Sequence, residues 1–415
     1  MYKINMKKTI IIIGGILFIL ALIGVWVYLF IFGTPESIEE TIQNFPTSSG
    51  ENTTVSDGFN FDEVDTQNPS EEDNMGSDTV SQLNISQSVT NQLTTNPVAG
   101  FSFRNGNEIV YVEAGTGHIF NVNLNDGRQV RISNNTLAQT RKALFSKDSS
   151  LILLFADNKM RIGILDDNNN LRIGPPIIAP KNIKIDADNN ILHTVSNDRN
   201  TSGFRTNTST GETETLFTIP LKDPIVVWGE TINSRHFAYP RPAIGLQGRL
   251  FEIRNDTLRF TPVTGINLTV VRSNNDFIAN LRTSTESKNS IWRGGNTTSS
   301  VNFLSGEIYS EKCTEISDIL LCAKSEDTNT SINDWYKGKF RFNDNLWIIN
   351  LNQESAREVI NLEQATGRRV DIDMITSNND GTKILFRNKT DGNMWLFNNT
   401  EQLTTSSLDE TTEED

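Results

Sequence analysis

The chain has 415 residues, 37 Lys+Arg against 51 Asp+Glu, and a formal net charge of −14. Its 36 % hydrophobic content supplies a large core, whereas 2 Cys and 3 His rule out a disulfide-dense scaffold. The acidic balance gives no support to nucleic-acid binding, which needs a basic face to neutralise phosphate.

Residues 1–8 read as a cytoplasmic tail carrying Lys3, Lys7 and Lys8. Thr9 to Phe32 follows without a charge, and its 24 residues span about 36 Å as a helix, enough for a bilayer core of about 30 Å. Lysines before it and Glu36, Glu39 and Glu40 after it orient the remainder of the chain outward. The expectation is an uncleaved single-pass anchor over residues 9–32. A cleaved signal peptide is the alternative, but no A-x-A-like triplet or lipobox cysteine follows.

Residues 33–82 read as a disordered tether. From Thr34 to Asn96 there are 12 acids and no Lys or Arg, too little apolar surface to offset the entropy of ordering. The acidity is read as keeping the tether soluble and extended, with partner or cation binding as the other option.

Residues 83–405 read as one β-propeller domain, and between Phe101 and Thr405 one pattern recurs seven times: a hairpin, then a second strand pair closed by a polar turn. The turns fall at Asn125-Asp126-Gly127, Asp167 to Asn170, Ser209-Thr210-Gly211, Asn255-Asp256, Ser305-Gly306, Asn352-Gln353 and Asn398-Asn399. A period of roughly 42 to 50 residues is that of propeller blades. Flanking runs such as Leu151 to Phe155 and Leu346 to Leu351 are short and β-branched or aromatic, as half-buried strands are. The fold expected is therefore all-β, a seven-bladed propeller. A sandwich array would need about seven strands per domain, which a four-strand period opposes. Ring closure requires an end strand to pair, either Gln92 to Thr95 or Gln402 to Thr405, and the N-terminal one in the last blade would lock the ring. The run Leu83 to Val89 is a possible extension of that strand. Residues 406–415 form an acidic tail; setting aside tail, tether and N-terminal lysines leaves 34 charges of each sign in the propeller.

Within the repeats, Cys313 and Cys322 bracket a hairpin with its turn at Ser317-Asp318, which places them across a ladder. Outside the membrane they are expected to be oxidised, and the loop closed contributes roughly 2.7 kcal/mol. No cofactor or metal is implied: His118, His193 and His236 are scattered over separate repeats. G-x-S-x-G, H-E-x-x-H and Walker patterns are absent from the sequence. Gly115 to His118 reads as a hairpin and Asp166 to Asn170 as a polar turn, since it lacks the spaced acids of a calcium loop.

Two regions are candidate contact surfaces. An insertion from Ser325 to Phe342 carries Asn333-Asp334-Trp335-Tyr336-Lys337-Gly338, where Trp335 and Tyr336 are either an exposed anchor for a partner or a lid folded over the blade. In the fourth repeat, prolines and glycines from Tyr239 to Gly248 prescribe a rigid loop, with Arg241 placed to meet an acidic group or simply to hold the loop.

The repeats resemble the TolB-type, WD-like propeller repeats of bacterial envelope proteins. The order of parts (lysine-led anchor, acidic linker, a loop ending Gly248-Arg249-Leu250-Phe251, the cysteine hairpin, Asp334-Trp335-Tyr336-Lys337-Gly338 before Asn345-Leu346-Trp347) is similar to uncharacterised membrane-anchored bacterial propellers. Only Ser146-Lys147-Asp148-Ser149-Ser150 and Asn379-Asp380-Gly381 keep the usual turn well, which blurs the third and fifth blade boundaries. The resemblance implies topology and a plasma-membrane location with the propeller outside. The function expected is a protein-interaction or envelope-scaffolding module rather than an enzyme. The alternative is a hydrolase or lyase acting on cell-wall glycan or peptide, which requires His236, Arg241 or paired carboxylates to converge on the axis.

Overall fold

Short alternating runs separated by Asn, Asp and Gly fold here as antiparallel hairpins. At Asn125-Asp126-Gly127 the Asn123 side chain accepts from the Asn125 N–H (2.8 Å) and Gly127 takes a left-handed φ of 72°. At the Ser146–Ser150 turn one Asp148 oxygen accepts from the Ser146 hydroxyl and from the Ser150 N–H and hydroxyl. Those bonds outweigh its partial burial and hold the Asp148 carboxyl down at about 2.

The computed structural model describes residues 81–82 and 89–399, apart from breaks at 134–135, 167–169, 230–233, 244, 274–275, 283–286, 294–296, 302–303, 305, 317–318 and 326–331. The N-terminal tail, the anchor, nearly all of the linker, the Gln402–Thr405 segment and the acidic tail lie outside the described residues. Among the described residues no helix is long and apolar enough to cross a membrane.

Two short strands come first, β1 (Ser81–Gln82) and β2 (Thr90–Gln92). The first sheet holds β3 (Val98–Phe103), β4 (Glu108–Glu113), β5 (Ile119–Asn123) and β6 (Arg128–Arg131), with β1 on its outer edge. The second holds β7 (Lys142–Phe145), β8 (Leu151–Ala156), β9 (Lys159–Leu165) and β10 (Leu171–Ile178). The third holds β11 (Lys181–Ile185), β12 (Ile191–Ser196), β13 (Thr201–Thr206) and β14 (Thr213–Ile219). The fourth has seven strands: β15 (Ile225–Val227), β16 (His236–Tyr239), β17 (Gln247–Arg254), β18 (Thr257–Ser273), β19 (Asp276–Arg282), β20 (Ser287–Arg293) and β21 (Thr297–Val301). A 3₁₀ turn, Ser310–Lys312, leads to the fifth sheet of β22 (Cys313–Ile316), β23 (Ile319–Ser325), β24 (Asp344–Asn350) and β25 (Ser355–Ile360). In the sixth, β26 (Ile372–Ser377), β27 (Lys383–Asn388) and β28 (Met394–Asn398) are joined by β2. Two short helices, α1 (Ile332–Tyr336) and α2 (Leu362–Thr366), sit in connections.

The propeller thus has six sheets among the described residues, and the expectation of seven separate blades is corrected. The cause is β18. Its 17 residues pair with β17 from Thr257 to Ile266 and with β19 from Ile266 to Ser273, so the fourth and fifth repeats share one sheet. Gly265-Ile266-Asn267 looks like a break, yet Asn267 only kinks the strand (φ 53°) and its N–H still bonds Leu246 O at 3.0 Å.

Closure follows the N-terminal option. Thr90, Asn91 and Gln92 pair with Phe397, Leu396 and Trp395, so chain start and chain end share a sheet. Between that sheet and the first, Leu385 and Leu396 pack with Ile109, Tyr111 and Val122 in one apolar cluster. Between the first two sheets the approach is backbone-close: a Cβ on Gly100 would lie 2.1 Å from Ala143 O, so only glycine fits there.

Candidate functional site

The inner strands surround an axial cavity of about 850 Å³, within the usual ~300–1,000 Å³ of ligand sites. Its wall is built by β7, β11, β15, the second half of β18 and β22. A second cavity of about 740 Å³ is framed by hairpin turns such as Asn105-Gly106 and Asn378-Asn379-Asp380, and shares Thr314 and Glu315 with the first.

Charge in the larger cavity is uneven. Lys142, Lys181, Lys184, Arg241 and Arg272 face Glu311 and Glu315. On β11, strict alternation would separate Lys181 from Lys184. A bulge between them, with Asn182 at φ 46°, lets both line the cavity. Lys181 and Arg241 share one carboxylate, Asp223, at 2.7 and 3.0 Å. Burial works to raise that carboxyl, but the bonds from the two cations prevail and hold it below the usual range. Lys184 donates to Gly229 O (3.3 Å), and Arg272 to Trp228 O (2.8 Å) and Arg235 O (3.2 Å). Lys142, exposed along the channel at the head of β7, makes no hydrogen bond or salt bridge among the described residues. Its ammonium is pushed below its ordinary pKa, first by loss of hydration, with Glu311 pulling the other way.

Arg241 and the Trp335-Tyr336 pair, 95 residues apart in sequence, meet the same cavity in different ways. Arg241 lines it directly. Tyr336, 42 % exposed, donates its hydroxyl to the lining carboxylate Glu311 at 2.6 Å. Burial and the Glu311 charge push that phenol far above its normal range. Trp335 is 3 % exposed and takes the lid alternative. Its indole N–H lies 2.8 Å from Asp371 Oδ1, its ring packs with Tyr309 and Phe342, and the Lys389 ammonium sits 3.6 Å from the ring centroid. The exposed-anchor alternative for Trp335 is therefore corrected: the indole has partners of its own.

Cys313 and Cys322 are directly opposed in the β22–β23 ladder and disulfide-bonded, as the hairpin predicts, and Cys313 borders the cavity. The histidines do not gather at the axis. His236 Nδ1 accepts from the Gly229 N–H at 2.9 Å, and burial, followed by Arg272 and Lys184, lowers its pKa to about 4. His193 stacks on Phe204 and is lowered by burial to about 4 as well. His118 lies 3.7 Å from Glu113 in the first sheet. Among the described residues no three His, Cys, Asp or Glu side chains are grouped to hold a metal.

Sequence reasoning missed Lys142, Lys181, Lys184, Arg272, Glu311 and Asp223. One signal was present: lysines among apolar residues in two consecutive first strands, Lys142-Ala143-Leu144-Phe145 and Lys181-Asn182-Ile183-Lys184-Ile185.

No family model matches this chain. No curated protein matches it either. Solved structures do. An oligogalacturonate lyase in complex with manganese is 11 % identical, with a TM-score of 0.52, covering 78 % of this chain and 96 % of that one. An oligogalacturonate lyase from Vibrio parahaemolyticus is 11 % identical at a TM-score of 0.50, covering 78 % and 98 %. Virginiamycin B lyase from Staphylococcus aureus is 13 % identical at 0.45, covering 74 % and 97 %. At such identities the first two establish a shared propeller fold and nothing about activity.

Proposed function

We propose that this chain is an extracytoplasmic binding module, held to the outer side of the plasma membrane by residues 9–32, that captures a protein or envelope component at the axial mouth. The observation that carries the reading is the convergence there of Arg241 and of Tyr336 through Glu311. These are the residues the sequence singles out for contact, and they arrive from different sheets. Of the cavity's other cations, Lys181 shares Asp223 with Arg241, and Lys184 and Arg272 donate to backbone carbonyls, contacts suited to holding a partner rather than to passing protons. The Cys313–Cys322 bond supports an oxidising location. The resemblance of the repeats to TolB-type repeats, and of the order of parts to membrane-anchored bacterial propellers, supports an envelope role.

The test uses the full chain in its own membranes, with a photo-reactive phenylalanine analogue at position 241 or 336. A discrete adduct of the same mass is expected from both positions and not from position 159, an exposed lysine on β9. No adduct from either position overturns the reading. Protease added outside intact cells is expected to release the propeller; full protection overturns the location.

A further inference from the structure

The smaller cavity lies at the far end of the inner strands from Arg241. On β7 the head, Lys142, lines the larger cavity and the end, Phe145, the smaller; on β22 Cys313 and Ile316 divide in the same way. Its rim is held rigid by the turns that frame it. Asn105 Oδ1 accepts from the N–H groups of Asn107 (3.0 Å) and Glu108 (2.8 Å), and Asn378 accepts from the Lys383 N–H (2.9 Å) while donating to the Thr382 hydroxyl (3.0 Å). Between sheets, the Lys383 ammonium reaches Asn107 Oδ1 at 2.6 Å, and the Ser149 hydroxyl donates to Phe103 O at 3.1 Å. The turns of the sixth, first and second sheets are therefore tied to one another. On this fixed rim the side chains of Thr314, Thr376, Ser377 and Asn379 make no hydrogen bond among the described residues. Two rings, Phe103 and Phe145, line the same space.

We propose that this second mouth binds a neutral saccharide, with its hydroxyls bonded by Thr314, Thr376, Ser377 and Asn379 and the C–H face of a sugar ring laid against Phe145. Hydroxyls and carboxamides both donate and accept without charge, as the hydroxyls of a sugar do. Groups already fixed by their turns hold the rim in place, so the unbonded ones are presented without reordering, which lowers the entropy that binding costs. The volume of about 740 Å³ lies within the ~300–1,000 Å³ of ligand sites. No ion is singled out, because Arg104 and Lys147 line the cavity together with Glu315 and Asp380, and the adjoining Ser317-Asp318 turn lies outside the described residues. A peptide is read through pockets for its side chains, and the apolar side chains lining this mouth are only Phe103, Phe145 and Ile316. The inference goes beyond the partner reading, which concerns the Arg241 end of the axis.

The test is calorimetric titration of the full chain, solubilised in a sugar-free detergent, with cellotriose and, separately, tri-N-acetylchitotriose; the uncharged peptide acetyl-Gly-Ser-Ala-amide is the third arm. Saturable binding of at least one saccharide is expected, with none for the peptide. Cellotriose alone points to hydroxyl recognition, and the acetylated trimer alone to an added contact with the acetamido group. The double variant Thr376→Val, Asn379→Leu is expected to weaken binding about tenfold, the loss of two neutral hydrogen bonds, while Lys159→Gln, on β9 outside the cavity, leaves it unchanged. Unliganded melting temperatures matching the unsubstituted chain guard against misfolding. Should the double variant melt lower, Ser377→Ala carries the same test, with a loss of about threefold. Absence of binding by both saccharides, binding of the peptide alone, or unchanged affinity in the variants overturns the inference. Adducts at positions 241 and 336 without saccharide binding reject this inference alone; saccharide binding without adducts rejects the partner reading and leaves this one standing.

Discussion

Lys312 and Lys142 occupy comparable places, one at the threshold of β22 and the other at the start of β7, yet their surroundings are opposite. Lys312 is 1 % exposed, and its ammonium lies 2.5 Å from Asp344 and 2.9 Å from Asp371. Asp344 starts β24 and also accepts from the Ile372 N–H at 2.7 Å, while Asp371 precedes β26 and holds the Trp335 indole. One lysine therefore ties the fifth sheet to the sixth. Lys142 has two carboxylates within electrostatic reach, Glu311 and Asp373, but is bonded to neither. The same side chain is a clamp where carboxylates are bonded to it, and at Lys142 it makes no salt bridge among the described residues.

The sharpest way to break that contrast is Lys312→Met. Removing one member of a buried ionic cluster leaves the others dehydrated and unpaired, which costs about 3–5 kcal/mol. Burial already pushes Asp344 up more strongly than Lys312 draws it down, so the variant should take up a proton there to limit the loss. Urea unfolding is expected to show a midpoint shift of that size. A loss below about 1 kcal/mol would mean the clamp is ornamental.

His236 sharpens the comparison through pH. It stays neutral in the folded chain until about pH 4, against 6.5 for a free imidazole. Between those values the unfolded chain binds more protons, so stability falls as pH drops through the window, by about 3 kcal/mol for one histidine. His236→Gln should flatten the stability–pH curve by that amount. Lys184 and Arg272 contribute to the shift of His236, whereas His193 is lowered by burial without them. Lys184→Met should therefore raise the NMR titration midpoint of His236 and leave that of His193 in place. Equal movement of both would dissolve the idea of a positive cavity wall.

The cysteine hairpin joins the two regions, since Cys313 follows Lys312 and borders the cavity. Replacing both cysteines by alanine is expected to cost roughly 2.7 kcal/mol in the chain-entropy model, read as a lowered denaturation midpoint. A near-zero change would show that the clamp alone organises β22 and β23.

What the sequence made legible was local. Period-two alternation and Asn/Asp/Gly turns announced the propeller, the cysteines announced their own hairpin, and the N-terminal run at Gln92 was one of two candidates for the closing strand, which is Thr90–Gln92. The sheet count was not legible, because whether Gly265-Ile266-Asn267 breaks or bends a strand depends on partners at Gln247 and Arg282. Trp335 was ambiguous for the same reason: its burial depends on Asp371 and Lys389, which lie in another sheet or its approach. Arg241 stood out through its prolines, but its counter-ion Asp223 precedes β15 and carried no motif. The cavity cations are single residues in separate repeats, and only the ring makes them neighbours.

The smallest expected effect tests the other half of the contrast. Lys142→Met should change stability by less than about 0.5 kcal/mol, because no salt bridge is lost and its nearest aromatic contact, Phe155, is 5.9 Å from the ammonium. A slight gain is consistent too, since the cost of dehydrating the ammonium disappears along with its repulsion from Arg387. Urea midpoints of the Lys142 and Lys312 variants, measured side by side, give the comparison directly. A loss above about 2 kcal/mol at Lys142 would make it a second clamp, with its charge serving the fold. A null effect on stability would separate the two lysines: folding uses Lys312 and does not use Lys142.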